Sequence, residues 1–220
     1  KNITRPSKGL SEKTHRVLQR VHVLIEQKNY QAAIEKLQTL KDRTSKKPHE
    51  LAQVLQTMGY VQAHKEDYAA AAKSFENALA LDALPKSPTL TSLYTLAQLQ
   101  VMSQDYRGAL ATLQEWFYLA ESPGADALVL AATCYVELKD YKAALPLAKQ
   151  AIAKAEKPKE SWYQMLLSVQ FFLKDYANAA ATLKTMIGFW PKEPKYYKQL
   201  SAVYLTTDDY VNALAIGEIA

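Results

Sequence analysis

A single cysteine among 220 residues excludes an intramolecular disulfide. Cys134 lies in the apolar run Leu130-Ala131-Ala132-Thr133-Cys134-Tyr135, and reads as a small packed side chain rather than a reactive thiol. Six glycines are few for this length, and alanine- and leucine-rich segments between short polar breaks favour helix nearly throughout. No apolar run approaches the ~20 residues needed to cross a bilayer, so no transmembrane segment is expected. Chemistry-bearing motifs are missing too: there is no phosphate-cradling glycine loop, no His-Glu-x-x-His, no paired-cysteine spacing and no Gly-x-Ser-x-Gly elbow. The chain is therefore expected not to be an enzyme and to use neither cofactor nor metal. His15 and His22 share a helix face, but with no adjacent carboxylate or cysteine they read as solvated side chains and not as ligands. Charge lacks a decisive bias, since 27 basic against 22 acidic side chains leave +5, mostly lysine spread over loops and helix ends.

What the chain has instead is repetition. Asn or Asp followed by Tyr, with Ala three residues after the Tyr, occurs at Tyr30, Tyr68, Tyr106, Tyr141, Tyr176 and Tyr210, at steps of 38, 38, 35, 35 and 34 residues. A period in this range marks stacked supersecondary units, each burying its apolar face only against its neighbours. Within the second unit, Leu51, Leu55, Met58 and Gly59 recur at helical spacing. Lys65-Glu66-Asp67 then breaks the pattern, and Ala71, Ala72, Phe75, Ala78 and Leu79 resume it. Each unit thus reads as helix A, a short turn and helix B, with the Asp or Asn capping helix B. The tyrosine is expected to pack in the hairpin elbow, while the alanine lets the two helices approach.

Pro48, Pro85, Pro123, Pro158 and Pro191 fall between hairpins, as proline's intolerance of helix interiors requires. The four extra residues of each of the first two periods are expected to lengthen the loops near Arg43–Pro48 and Leu84–Pro88. The reading is an all-α solenoid of about six hairpins. Residues 1–10 form a flexible N-terminal segment and 11–220 a single solenoid, with repeats near 14–51, 52–89, 90–124, 125–159, 160–193 and 194–220. The last repeat ends inside its second helix, leaving Tyr210, Ala213, Leu214 and Ile216 as an uncapped apolar stripe. Either further chain, another molecule or self-association is expected to cover that end. The opening Lys1 without an initiator Met is compatible with a removed leader, and the sequon Asn2-Ile3-Thr4 reads as a chance match.

These positions resemble the tetratricopeptide repeat family. The second repeat carries its pattern at Leu55, Met58, Gly59, Asp67, Tyr68, Ala71, Phe75, Ala78 and Asp82. The fifth carries it at Tyr163, Leu166, Asp175, Tyr176, Ala179 and Pro191, and the sixth at Tyr197, Leu200, Ser201, Tyr204, Asp209, Tyr210 and Ala213. Arg20 departs from it, standing where a buried Leu is usual, so the first helix is expected to act as a cap with an exposed outer face. The resemblance implies a right-handed solenoid that binds a protein or peptide segment along a concave groove lined by the A helices.

Carried over residue by residue, the groove includes Gln53, Gln56, Tyr60 and His64 in the second repeat and Tyr94, Gln98 and Met102 in the third. The fifth supplies Gln164 and Phe171 beside Ser161, Ser168 and Phe172, and the sixth supplies Lys195. The family's terminal-carboxylate clamp is not matched, because Leu18, His22, Thr57, Thr91 and Thr95 stand at its places. A neutral groove of amides and aromatics suits main-chain hydrogen bonding and apolar anchors. Phe171-Phe172 fits either a groove anchor or a filler between repeats. Of Trp116-Phe117-Tyr118, Trp116 reads as core and Tyr118 stays open, since consecutive helical residues point about 100° apart. A nucleic-acid binder would need a basic stripe with stacking aromatics at every repeat, whereas the groove lysines are confined to the sixth.

A narrower resemblance lies in Leu113-Gln114-Glu115-Trp116-Phe117, Ala151–Tyr163 and Phe189-Trp190-Pro191. These stretches are similar to tetratricopeptide proteins encoded beside TonB–ExbB–ExbD energy-transduction systems of Gram-negative bacteria. That similarity implies a periplasmic, non-enzymatic scaffold auxiliary to TonB-dependent uptake, with TonB-complex components as partners. The alternative is a structural or assembly solenoid of another envelope or cytoplasmic complex.

Overall fold

A computed structural model describes residues 9–217. The sequon at Asn2, most of the N-terminal segment and the last three residues lie outside the described part. Twelve α-helices and no strand are present among the described residues. None of these helices is long and apolar enough to cross a membrane. They form six hairpins, three in a unit ending at Ser122 and three in a unit beginning at Pro123.

The first unit contains α1 (Glu12–Glu26) with α2 (Tyr30–Thr44), α3 (Pro48–His64) with α4 (Tyr68–Ala80), and α5 (Lys86–Met102) with α6 (Tyr106–Leu119). The second contains α7 (Ala125–Glu137) with α8 (Tyr141–Lys154), α9 (Glu160–Phe172) with α10 (Tyr176–Phe189), and α11 (Pro194–Thr206) with α12 (Tyr210–Gly217).

One local device closes every hairpin. Helix A ends on a residue in the left-handed region: Lys28, Glu66, Gln104, Lys139, Lys174 and Asp208 have φ between 56° and 65°. The next residue, the Asp or Asn of the repeat, donates its N–H back to the carbonyl five residues earlier, as in Asp140 to Tyr135 at 2.8 Å and Asp175 to Gln170 at 2.8 Å. That is the Schellman closure of an α-helix. The same residue then starts helix B, its side chain accepting the N–H three residues on, from Ala32, Ala70, Gly108, Ala143, Asn178 and Asn212. One position thus satisfies orphan groups of two helices, which is why a short carboxylate or amide recurs there. Asp140→Ala should cost ~1 kcal/mol. Lys139→Gly should instead stabilise by roughly as much, because only glycine occupies that backbone region without a Cβ clash. Urea unfolding of the two variants checks this, and equal signs would contradict the assignment.

The elbow tyrosines are not the buried element expected from the sequence. Tyr68 is 37% and Tyr210 64% exposed, and the other four are half-buried, whereas Ala33, Ala71, Ala109, Ala144 and Ala179 are fully buried. The alanine marks the helix crossing, where a larger side chain has no room, and the tyrosine ring lies on the rim. Tyr141, for example, stacks on Phe172 at 4.3 Å. Truncating these rings therefore empties a partly solvated site, not a core cavity.

The extra residues of the first two periods lengthen helices, not loops. α3 and α5 have 17 residues each, where α7, α9 and α11 have 13. Proline permits this because Pro48 is the first residue of α3 and Pro88 sits in the first turn of α5, where a missing N–H leaves no bond unmade. Pro146 is different, standing inside α8.

Each core is built from hairpin interiors. Leu18, Val21, Leu37, Val54, Met58 and Val61 join α1, α2 and α3, and Ala71, Phe75, Leu96 and Leu99 join α4 to α5. In the second unit Tyr163, Leu167, Leu183, Met186, Tyr196 and Leu200 join α9, α10 and α11. Partly buried polar pairs tie helix A to helix B at the same offset: Ser74 Oγ meets the Gln62 amide at 2.6 Å and Thr112 Oγ1 donates to Gln100 at 2.8 Å. Cys134 is fully buried, and burial pushes its thiol up to about 11, as expected of a packed side chain. Of the final stripe, Ala213 is buried and Ile216 packs on the core, while Tyr210 and Leu214 face outward beside Val211.

Candidate functional site

In the first unit the expected groove residues fall on one face of each A helix, because steps of three, four and seven residues return to the same side. They divide by what they touch. Gln56 Nε2 donates to the Pro88 carbonyl at 3.1 Å and to Ser92 Oγ at 2.9 Å, fastening α3 to α5. Tyr60 lies edge-on to Phe75 with ring centroids 5.0 Å apart, and burial pushes its phenol up against hydrogen bonds with Thr95 and Gln56 that pull it down. Gln53 lies 3.2 Å from the His49 ring, which reaches the Ala83 carbonyl. His64 stacks on Tyr30 at 6.0 Å, and Tyr94 meets Trp116 at 5.9 Å. Gln98 and Met102 project into solvent, Met102 with 57% of its surface exposed. Five of these seven are therefore engaged by other side chains of the chain, and Gln98 and Met102 are the two that project into solvent. Trp116 and Phe117 are half-buried, and Tyr118 is the outward member of its triplet.

The second unit gathers its set into a concavity. Gln164, Leu167, Ser168, Phe171 and Phe172 of α9 and Lys195, Tyr196 and Gln199 of α11 line a cavity of about 560 Å³. The α9 members are spaced as one helical face. Gln164, Ser168, Phe171, Phe172 and Lys195 were legible as groove positions, and the structure brings all five together. Phe171 also packs on the core, while Phe172 is 60% exposed and stacks on Tyr141.

One edge of this cavity is held by a polar network. Glu160 accepts from the Tyr196 hydroxyl, from Lys195 Nζ at 2.9 Å and from Gln164 Nε2 at 3.0 Å. Those hydrogen bonds, the one from Tyr196 foremost, hold the Glu160 carboxyl below the usual carboxylate range, and the hydrogen bond to Glu160, followed by Tyr196, pushes the Lys195 ammonium above its usual range. Lys195 also lies 4.8 Å over the Tyr196 ring. The arrangement orients amide and hydroxyl groups around aromatic walls. It holds no nucleophile paired with a base.

Sequence reasoning missed Tyr196, choosing its neighbour Tyr197. Tyr196 is 1% exposed, and Tyr197 turns out to bond the Pro191 carbonyl at 3.1 Å. Adjacent tyrosines on a helix differ by about 100°, and nothing local says which one faces α9. Also missed was Glu50, an 8%-exposed carboxylate that accepts from Ser11 at 2.9 Å, from Lys47 at 3.0 Å and from Thr14. Burial would raise its pKa, but those hydrogen bonds prevail and hold it at about 2.

Hairpins repeated at this period, offering helix faces and open concavities, define a helical-repeat protein. Residues 94–160 match the tetratricopeptide repeat family, and the fold throughout is that of tetratricopeptide repeat solenoids. No curated protein matches the chain by sequence. Among solved structures, it is similar to YrrB, described as a tetratricopeptide protein with an unusual peptide-binding site. The identity is 15%, with 82% of this chain and 89% of that one covered and a TM-score of 0.65. A tetratricopeptide repeat protein from Parabacteroides merdae ATCC 43184 aligns at 16% identity, over 94% of this chain and 78% of its own, with a TM-score of 0.65. MamA from Desulfovibrio magneticus RS-1 aligns at 16% identity, over 76% and 92%, with a TM-score of 0.60. Identities this low speak for the fold alone.

Proposed function

We propose that the chain is a non-enzymatic scaffold that holds an extended partner segment against its A helices, and that it serves as a periplasmic auxiliary of a TonB-dependent outer-membrane uptake system. The observation that carries the scaffold reading is the cavity between α9 and α11, where five groove positions converge on a space of about 560 Å³. Phe172 offers an exposed ring for an apolar anchor, and Gln164 and Gln199 offer amides to a partner's main chain. Peptide binding by YrrB, on a similar fold, supports the same reading. The narrower TonB assignment is supported by the stretches Leu113–Phe117, Ala151–Tyr163 and Phe189–Pro191.

Tyr60→Ala and Tyr94→Ala would disturb packing as well as binding, so the test belongs in the second unit. A pull-down from an envelope fraction should recover TonB-system components with the wild type, and about tenfold less with Gln164→Ala/Phe172→Ala, as expected for loss of one binding hot spot. Equal recovery by both would move the site off this cavity. Recovery of cytoplasmic proteins alone would remove both the compartment and the TonB role.

A further inference from the structure

The first hairpin carries a second concavity of opposite chemistry. Lys13, Arg16 and Arg20 of α1, Arg43 of α2, Lys47 and Glu50 line a cavity of about 440 Å³ floored by Val17 and Leu40. The α1 members stand at steps of three and four residues, so they form one stripe along the helix. Three of the chain's five arginines line this one cavity. Between residues 9 and 47 there are nine basic against four acidic side chains, which equals the net charge of the entire chain.

Two of the cations are already engaged, Arg16 by Glu12 and Lys47 by Glu50. Lys13, Arg20 and Arg43 have no ion-pair partner among the described residues, and all three are exposed. Glu50 cannot serve them, since its oxygens accept from Ser11, Thr14 and Lys47. Arg20, the departure from the repeat pattern seen in the sequence, is thus an exposed guanidinium where a buried leucine is usual.

We propose that this cavity is an electrostatic docking site for a carboxylate-rich segment of a partner protein. The guanidinium fork matches a carboxylate through two parallel hydrogen bonds, which a lysine patch cannot do. The Val17 and Leu40 floor accommodates the methylenes of acidic side chains. No aromatic ring lines the cavity to stack a base, as single-stranded nucleic acid would require. The site lies in the first unit, apart from the cavity between α9 and α11 in the second.

Fluorescence anisotropy of a labelled oligoglutamate against the full chain tests this, with an oligoglutamine control. The oligoglutamate alone should bind, and its affinity should fall by about tenfold or more between about 50 and 200 mM salt, as screening of exposed charges requires. Arg20→Gln/Arg43→Gln should weaken binding by about tenfold or more while leaving the melting profile unchanged, because both side chains are exposed. Gln164→Ala/Phe172→Ala should bind the oligoglutamate like the wild type, separating this site from the groove. Equal affinity for the arginine variant would overturn the proposal. So would preferential binding of oligothymidylate, or of phosphatidylserine vesicles, lost with the same two arginines: the cavity would then be a phosphate site.

Discussion

Phe75→Ala is expected to destabilise the first unit by ~3–5 kcal/mol, the cost of emptying a large buried aromatic site. Phe75 is fully buried, and its ring lies against Gly59, where a Cβ would stand only 2.8 Å from the Phe75 Cε2. Tyr60 meets the ring edge-on with centroids 5.0 Å apart, and Leu96 and Leu99 of α5 join the same core cluster. The glycine is thus required by close approach and not by an unusual φ. Gly59→Ala should itself cost ~1–3 kcal/mol through overpacking. The double variant should cost less than the two together by at least ~1 kcal/mol, because the smaller side chain relieves the clash. Urea unfolding followed by circular dichroism would show it, and simple additivity would mean that Gly59 and Phe75 do not share a contact. Nearest-neighbour coupling in repeat proteins implies that the loss appears first as a broadened transition.

Glu50→Gln should flatten the acid limb of the stability curve. The carboxyl is held at about 2 in the folded chain against an ordinary value of 4.5, so the folded state favours the charged form. A depressed folded value means the contribution is complete above the unfolded pKa and disappears as pH falls from about 4.5 to about 2. A shift of that size corresponds to about 3 kcal/mol. The wild type should lose that much more than the variant across this window, measured as the difference between their urea midpoints at each pH. Parallel curves would show that Ser11, Thr14 and Lys47 do not select the carboxylate. The effect should concentrate in the first hairpin, because Glu50 joins the start of α1 to the start of α3.

The repeat was legible because its signals are local. Asp140-Tyr141 and Ala144 announce a turn, a cap and a crossing within five residues, and each depends on backbone geometry that short sequence can encode. The fastening role of Gln56 was not legible, since its partners Pro88 and Ser92 lie on the next hairpin. The same limit explains Tyr196, whose hydroxyl finds Glu160 thirty-six positions away.

By itself, the sequence determined six helical hairpins, their caps, and the face of each A helix that carries Gln53, Tyr94 or Gln164. All of these follow from a periodicity that recurs within a turn or a repeat. Only the tertiary structure decided which of those faces becomes a cavity, that the elbow alanine and not the tyrosine is buried, and that Lys13, Arg20 and Arg43 surround one space. Burial and charge convergence are properties of neighbouring hairpins, set by how side chains distant in sequence share volume, and no local pattern records that sharing.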